Sequence, residues 1–452
     1  MPTMSHATTD PLGLPVTLAD ASSAGAVVDF VEGFLRYEAR IVRILDAAAD
    51  PSVYVQTCCA ALHMFSESAQ GPRNAQPFIA RALASPLPCS AREVVLARSV
   101  AAWVAGDMAQ AVALLQTLLR EHPRDLVALK LAQYHLFNQG DSPAMLRLAL
   151  GSLQAGADVA QLHGMLAFAW EQCHLLEQAE RAARRALAMR PREPWAQHAL
   201  AHVMLTQGRL HEGLDFMRAA SAGWVGLNSF MHTHNWWHLA LFALELDRPD
   251  EVLHLYDTQV WGIAPEYSQD QIGAVSLLAR LELAGVPVGP RWAALALYLR
   301  QRTADHVLPF LDLQYLYGLA RAGLPEADAL HAHIAAHANA LQAQGQPQAA
   351  LWCAVCVPAS AGLLAHARGD WAAAVRGLGQ ALPRMLEIGG SHAQRDLFDQ
   401  IYLDALMRGG QHNAALHLLQ PRANAAAQSL RLQRQVQQLQ AALGLAGSAS
   451  AA

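Results

Sequence analysis

"VAAWVAGDMAQAVALLQTLLREHP" (Val100–Pro123) and "LAFAWEQCHLLEQAERAARRALAMRP" (Leu166–Pro191) share one grammar of helix, tight turn and helix. Working outward, Gly106, Gly140, His174 and Gly208 mark successive turns, each 34 residues from the last. Ala111 and Ala179 hold the small position after the turn, where paired helices approach closely. Pro123 and Pro191 end the second helix, because proline has no amide hydrogen with which to continue it. A helix–turn–helix of this period, with alanine and proline so placed, is the tetratricopeptide signature.

Beyond Gly208 the period loosens, but turn-like junctions continue at Asp247-Arg248, Gly285, Gly323, Gly369-Asp370 and Gly409-Gly410. The segments between them, such as "HLALFALELDRPDEVLHLYD" and "GDWAAAVRGLGQAL", keep helical periodicity, and none alternates with period two. The expected fold is therefore all-α: one α-solenoid of tetratricopeptide-like repeats from Ala24 to Leu443. Met1–Ser23 and Gly444–Ala452 are expected to be disordered ends. "SLRLQRQVQQLQAAL" is amphipathic and too short for several heptads, so it reads as a terminal cap.

Composition agrees with packed helices. Hydrophobic residues make up 53% of 452 residues and charged residues only 15%. A net charge of −5 and no dense run of Lys or Arg argue against a nucleic-acid partner. No uninterrupted stretch of about 18 apolar residues occurs, so no membrane span is expected. The first twenty residues lack the apolar core of a signal peptide, and six cysteines without an export signal suggest reduced thiols, hence a cytoplasmic location. Cys353 and Cys356 form one CxxC with no second pair and read as helix packing.

The most chemical feature is two histidine pairs one repeat apart, His198 with His202 and His234 with His238. The i, i+4 spacing puts each pair on one helix face. With the turn glycine as position fifteen, His198 and His202 fall at positions five and nine of a first helix. His234 and His238 fall within about 60° of the same stripe. First helices of such repeats line the inner surface, and neighbours pack about 8–10 Å apart, so the four imidazoles are expected to converge. A divalent metal such as Zn is one occupant, with Asp270 or Glu171 adding a carboxylate. A metal-free groove binding a small molecule or peptide by hydrogen bonds is another, with Trp236 and Trp237 supplying apolar faces. Packing alone is a third, since the chain has 21 histidines.

"EIGGSHAQRDLFDQ" is the other polar segment: Gly389-Gly390 permits a turn, Ser391 is an N-cap, and His392, Arg395 and Asp396 share a helix face. It reads equally as a packed helix start or as a wall of the histidine groove. No G-x-S-x-G elbow, phosphate loop or H-E-x-x-H motif is present, so no reaction is assigned.

At these residues the chain resembles the tetratricopeptide repeat protein 38 family. The matching strings are "WAQHALAHVMLTQGR" (Trp195–Arg209), "HNWWHLALFALEL" (His234–Leu246), "LYD" ending at Asp257, and "GGSHAQRDLF" (Gly389–Phe398), within a span from Gln161 to Met407. Bare repeats do not require H-N-W-W-H or G-G-S-H-A-Q-R-D. The resemblance implies that these polar residues share a site, without naming a reaction. It also implies a glutamate where Leu205 stands and a histidine where Gln314 stands, departures that bear on any chemistry. Three functions follow: a binder of a small molecule or peptide, a metal-dependent enzyme in which Arg395 orients an anionic substrate, or a scaffold for protein partners.

Overall fold

In the computed structural model, which describes residues 5–445, the chain is an all-α helical-repeat protein apart from one short hairpin. The predicted turns are real. Gly106, Gly140, His174 and Gly208 all adopt left-handed backbone, φ between 57° and 81°, and so do Asp247, Gly285, Gly323, Gly369 and Gly410. A left-handed residue reverses the chain within a few residues, which is why glycine recurs there and His174 and Asp247 are exceptions.

Two compact units make up the chain: residues 1–200 with 223–231, and residues 201–222 with 232–452. The first unit starts with β1 (His6–Thr9) and β2 (Pro15–Leu18), followed by α1 (Ala24–Arg36), α2 (Val53–Met64) and α3 (Gln70–Ala84). The phased pairs are α4 (Ala91–Val104) with α5 (Met108–Glu121), α6 (Leu126–Asn138) with α7 (Ser142–Gly156), and α8 (Ala160–Gln172) with α9 (Leu176–Met189). The next pair is α10 (Pro194–Thr206) with α11 (Leu210–Ser221), followed by α12 (Ser229–Glu245). Of the three dividing lines, one falls inside α10, one just after α11 and one inside α12.

The second unit continues with α13 (Pro249–Leu255), α14 (Ser268–Leu283), α15 (Arg291–Leu299), α16 (Pro309–Arg321) and α17 (Glu326–Ala343). After these come α18 (Ala349–Leu351), α19 (Val357–Ala367), α20 (Trp371–Ala381), α21 (His392–Arg408), α22 (His412–Ala425) and α23 (Leu430–Ala442). The cap predicted near the C-terminus is α23. Its Leu432, Val436 and Leu439 join Leu403, Leu406 and Leu419 in one apolar cluster. Arg431 and Ser429 bond Glu245 at the end of α12, and Gln428 accepts from the amides of Leu210 and His211 at the start of α11. The last helices of this unit thereby meet its first. At Gly213 a Cβ would lie 2.2 Å from the Phe242 ring, so the small position after the turn is here reduced to glycine.

The run Ala349–Ala367 is long and apolar enough, by length and composition, to cross a membrane, with mean hydropathy 1.6 and 56% of it buried. It packs against α16, α17 and α20, and its polar groups have partners: Ser360 meets His331, and His366 bonds both Tyr317 and Asp404. Cys356 is buried, Cys353 is half-buried, and all six cysteines are free thiols.

The N-terminal expectation is corrected for residues 5–23, which are ordered. β1 and β2 pair antiparallel with His6 opposite Leu18, and Val16 and Leu18 are buried. The sequence reading missed them because two four-residue strands give almost no alternation to detect. Asp10 accepts from the amides of Leu12 and Leu14 and so closes the turn. Arg92, on α4, donates to the Pro15 carbonyl and, at 2.8 Å, to Asp125, with Asp10 3.8 Å away. Thr17 donates to Glu93, which also completes a capping box with Ser90. Of the C-terminal segment expected to be disordered, residues 446–452 lie outside the described residues.

Arg92→Ala removes the cation between two buried carboxylates. Breaking such a pair is expected to cost about 3–5 kcal/mol of unfolding free energy in urea titrations, together with faster proteolysis at residues 5–23. A loss below about 1 kcal/mol would show that the hairpin does not depend on this guanidinium.

Candidate functional site

The local sequence around the histidines is helical for ordinary reasons. Pro194 opens α10 and is well placed in a first turn, while Gly208 makes the turn between α10 and α11. Asn228 caps α12 by accepting from the Met231 amide. These two helices carry the four predicted histidines. Within the second unit, one ligand nitrogen from each of His202, His234 and His238 lies within 4.8 Å of the others, while His198 belongs to the first unit. His202 and His238 approach ring to ring at 4.5 Å, and His238 meets His234 edge-on at 4.9 Å.

His198, His202 and His238 are at most 1% exposed. His234 keeps some exposed surface, but burial of its ring, with His202 beside it, pushes its pKa down to about 3. The His234 imidazole therefore stays neutral at pH 7 and keeps a lone pair for a hydrogen or a metal.

Tryptophan surrounds the cluster in two ways. Trp195 stacks on His198 at 4.4 Å, and Tyr37 also stacks on Trp195, at 5.1 Å. Trp237 is 1% exposed and lies nearly parallel to His234 at 5.4 Å. Trp224 is buried with its indole N–H donated to Gln197, which makes it core. Trp236 is half-buried on the next face of α12. Asn235, between His234 and Trp236, is fully buried, and its amide oxygen and nitrogen make no hydrogen bond.

The two carboxylates proposed from sequence have other neighbours. Asp270 is fully buried, accepts from Thr233 at 3.3 Å and from the Ala264 amide at 3.1 Å, and so ties the loop before α14 to α12. Glu171 accepts from Gln172. Neither belongs to the group of converging ligand atoms, which is all imidazole.

The "GGSHAQRD" segment starts α21 as expected. Gly389 and Gly390 are both left-handed, a Cβ on Gly390 would sit 2.8 Å from Phe310, and Ser391 forms a capping box with Gln394. Arg395 donates to the carbonyls of Gly389 and Gly390 and contacts His392, so its guanidinium braces the glycine turn. Asp396 pairs with Arg422 and accepts from Gln400. Against burial, which alone would raise its pKa, Arg422 and Arg280 hold this carboxyl below its usual range.

Sequence reasoning missed Arg280, on α14. It is 2% exposed, lies over the Trp237 ring at 5.4 Å, donates to the Ala393 carbonyl at 2.5 Å, and also bonds Ser276. Burial lowers its pKa to about 10, opposed by Asp396. Arg280 therefore joins the H-N-W-W-H face of α12 to the start of α21 inside one unit. The stretch "SLLARLEL" gives no local sign of it, since Glu282 stands two residues further on and a surface arginine would read the same. Of the two departures from the family pattern, Gln314 is buried on α16, with no hydrogen bond at its amide oxygen, and Leu205 is half-buried at the end of α10.

No known family model matches the chain. Among solved structures it is similar to a human IFIT1 dimer with PPP-AAAA, at 13% identity and TM-score 0.42, covering 90% of this chain and 95% of that one. It is also similar to the P58(IPK) TPR domain, at 12% identity and TM-score 0.23, covering 79% and 100%, and to Naa15/Naa10 bound to HypK-THB, at 13% and 0.26, covering 96% and 69%. At these scores the likenesses carry nothing beyond the helical-repeat character already evident from the turns.

Arg280→Ala leaves the Ala393 carbonyl without this donor and Asp396 without one of its cations. The expected cost is about 3–5 kcal/mol by urea unfolding followed through tryptophan fluorescence, with Arg280→Lys recovering only part of it. Equal stability of both variants and parent would mean that the guanidinium does not link the two segments.

Proposed function

We propose that this tetratricopeptide-type protein is a binding protein whose ligand, a small molecule or a peptide segment, is seated where α12, α14 and the start of α21 meet. The observation that carries this reading is Arg280, which draws the Trp237 face and the α21 turn together. A buried cation over an indole that also stacks on His234 suits a ligand with a flat apolar part and a polar or anionic group. His202, His234, His238, Trp236 and Trp237 supply contacts from α10 and α12. Asp270 positions α12, while His392, Arg395 and Asp396 shape the turn and the charge around Arg280. We further assign the chain to the tetratricopeptide repeat protein 38 family on the four matching strings, two of which are the segments Arg280 joins. A cytoplasmic location and the absence of nucleic acid among its partners remain part of this reading, supported by charge and cysteine usage.

No reaction is assigned. The test is thermal-shift screening of the full chain, stripped of metal, against metabolites and short peptides. A ligand at about 100 times its dissociation constant stabilises by about 2.7 kcal/mol. The shift is expected to shrink in Trp237→Phe and Arg280→Lys, which preserve most of the packing volume. A panel without any shift, or shifts untouched by both variants, would remove the proposal.

A further inference from the structure

Binding through hydrogen bonds explains imidazoles near one another, but it does not require three of them within one unit to bring their nitrogens together. We infer that His202, His234 and His238 coordinate one divalent transition-metal ion of the zinc class, leaving one tetrahedral position for a further ligand. The inference rests on the same helices as the binding reading and names an occupant for their histidine face.

The geometry is close to what such an ion needs. Zinc–imidazole bonds of about 2.0–2.1 Å set the nitrogen–nitrogen edges of a tetrahedron near 3.3 Å. The three nitrogens already lie within 4.8 Å of one another, so modest side-chain rotations close the remaining gap. α12 supplies the i, i+4 pair His234 and His238, and α10 supplies His202. The donors are nitrogen throughout, which selects against Mg²⁺ and Ca²⁺ and suits Zn²⁺, Co²⁺, Ni²⁺ or Cu²⁺. The site is buried, so the ion displaces little ordered solvent and sees few competing ligands.

Two surrounding features bear on the site. Asp270 is a buried carboxylate that accepts from Thr233, the residue before His234, and so fixes the start of the helix that carries this ligand. Trp237 lies nearly parallel to the His234 ring at 5.4 Å and holds it in place.

The test uses full-length chain without a histidine tag, stripped with a chelator and titrated with Co²⁺, then Zn²⁺. One Co²⁺ per chain is expected, with the strong visible bands of tetrahedral cobalt, displaced by one equivalent of Zn²⁺. His202→Ala and His238→Asn are each expected to weaken uptake by at least about 100-fold, the upper end of what losing even a group behind the ligands costs. His211→Ala, at an exposed histidine on α11, retains full uptake. Circular dichroism confirms that the variants are folded. On the parent chain, Zn²⁺ should protect His202, His234 and His238, and not His211, from diethyl pyrocarbonate, mapped by mass spectrometry. No saturable uptake by the parent, bands that persist in both ligand variants, or equal labelling with and without Zn²⁺ overturns the assignment. Because compound screening is done on metal-free chain, the two ideas separate. Compound shifts without cobalt uptake remove only the ion, and cobalt uptake without any compound shift removes only the small-molecule reading.

Discussion

Every 34 residues the phased part of the chain reverses through a left-handed turn, and this repeated reversal is the constraint on which the rest is arranged. Once consecutive first helices start in the same register, residues at like positions lie side by side. His202 on α10 therefore meets His238 on α12, whatever their chemistry. The small residues that follow the turns, Ala111, Ala179 and Gly213, let the paired helices come close enough for that register to hold.

The register makes burying polar side chains possible, and aromatic stacking makes it tolerable. Trp195 stacks on both Tyr37 and His198, and Trp237 covers His234. Neutral imidazoles lose less on leaving water than charged groups do. The two buried arginines that hold segments together are each matched: Arg92 with Asp125 near the hairpin, and Arg280 within reach of Asp396. Removing one member of such a set leaves the other in a low dielectric, so single substitutions there outweigh many surface changes.

How much was legible varied with the range of the interaction. The turns, the α21 cap at Ser391, the terminal helix α23 and the approach of His202 to His238 follow from local chemistry plus a repeat period. The hairpin was not legible because its strands are four residues each and its order comes from distant Arg92, Glu93 and Arg124. Arg280 was not legible because nothing in "SLLARLEL" distinguishes a buried bridging arginine from one at the surface. Asp270 was legible as important; its tie to Thr233 and Ala264 was not.

The sequence by itself determined the helical repeat, its turns and the stripe on which the imidazoles lie, because these depend on residues within about one repeat of each other. Only the tertiary structure decided that Arg280 joins α12 to α21, that α23 returns to Glu245, and that residues 5–23 fold onto α4. Those bonds link residues from 77 to 186 positions apart, and whether such residues meet depends on the accumulated geometry of all the helices between them.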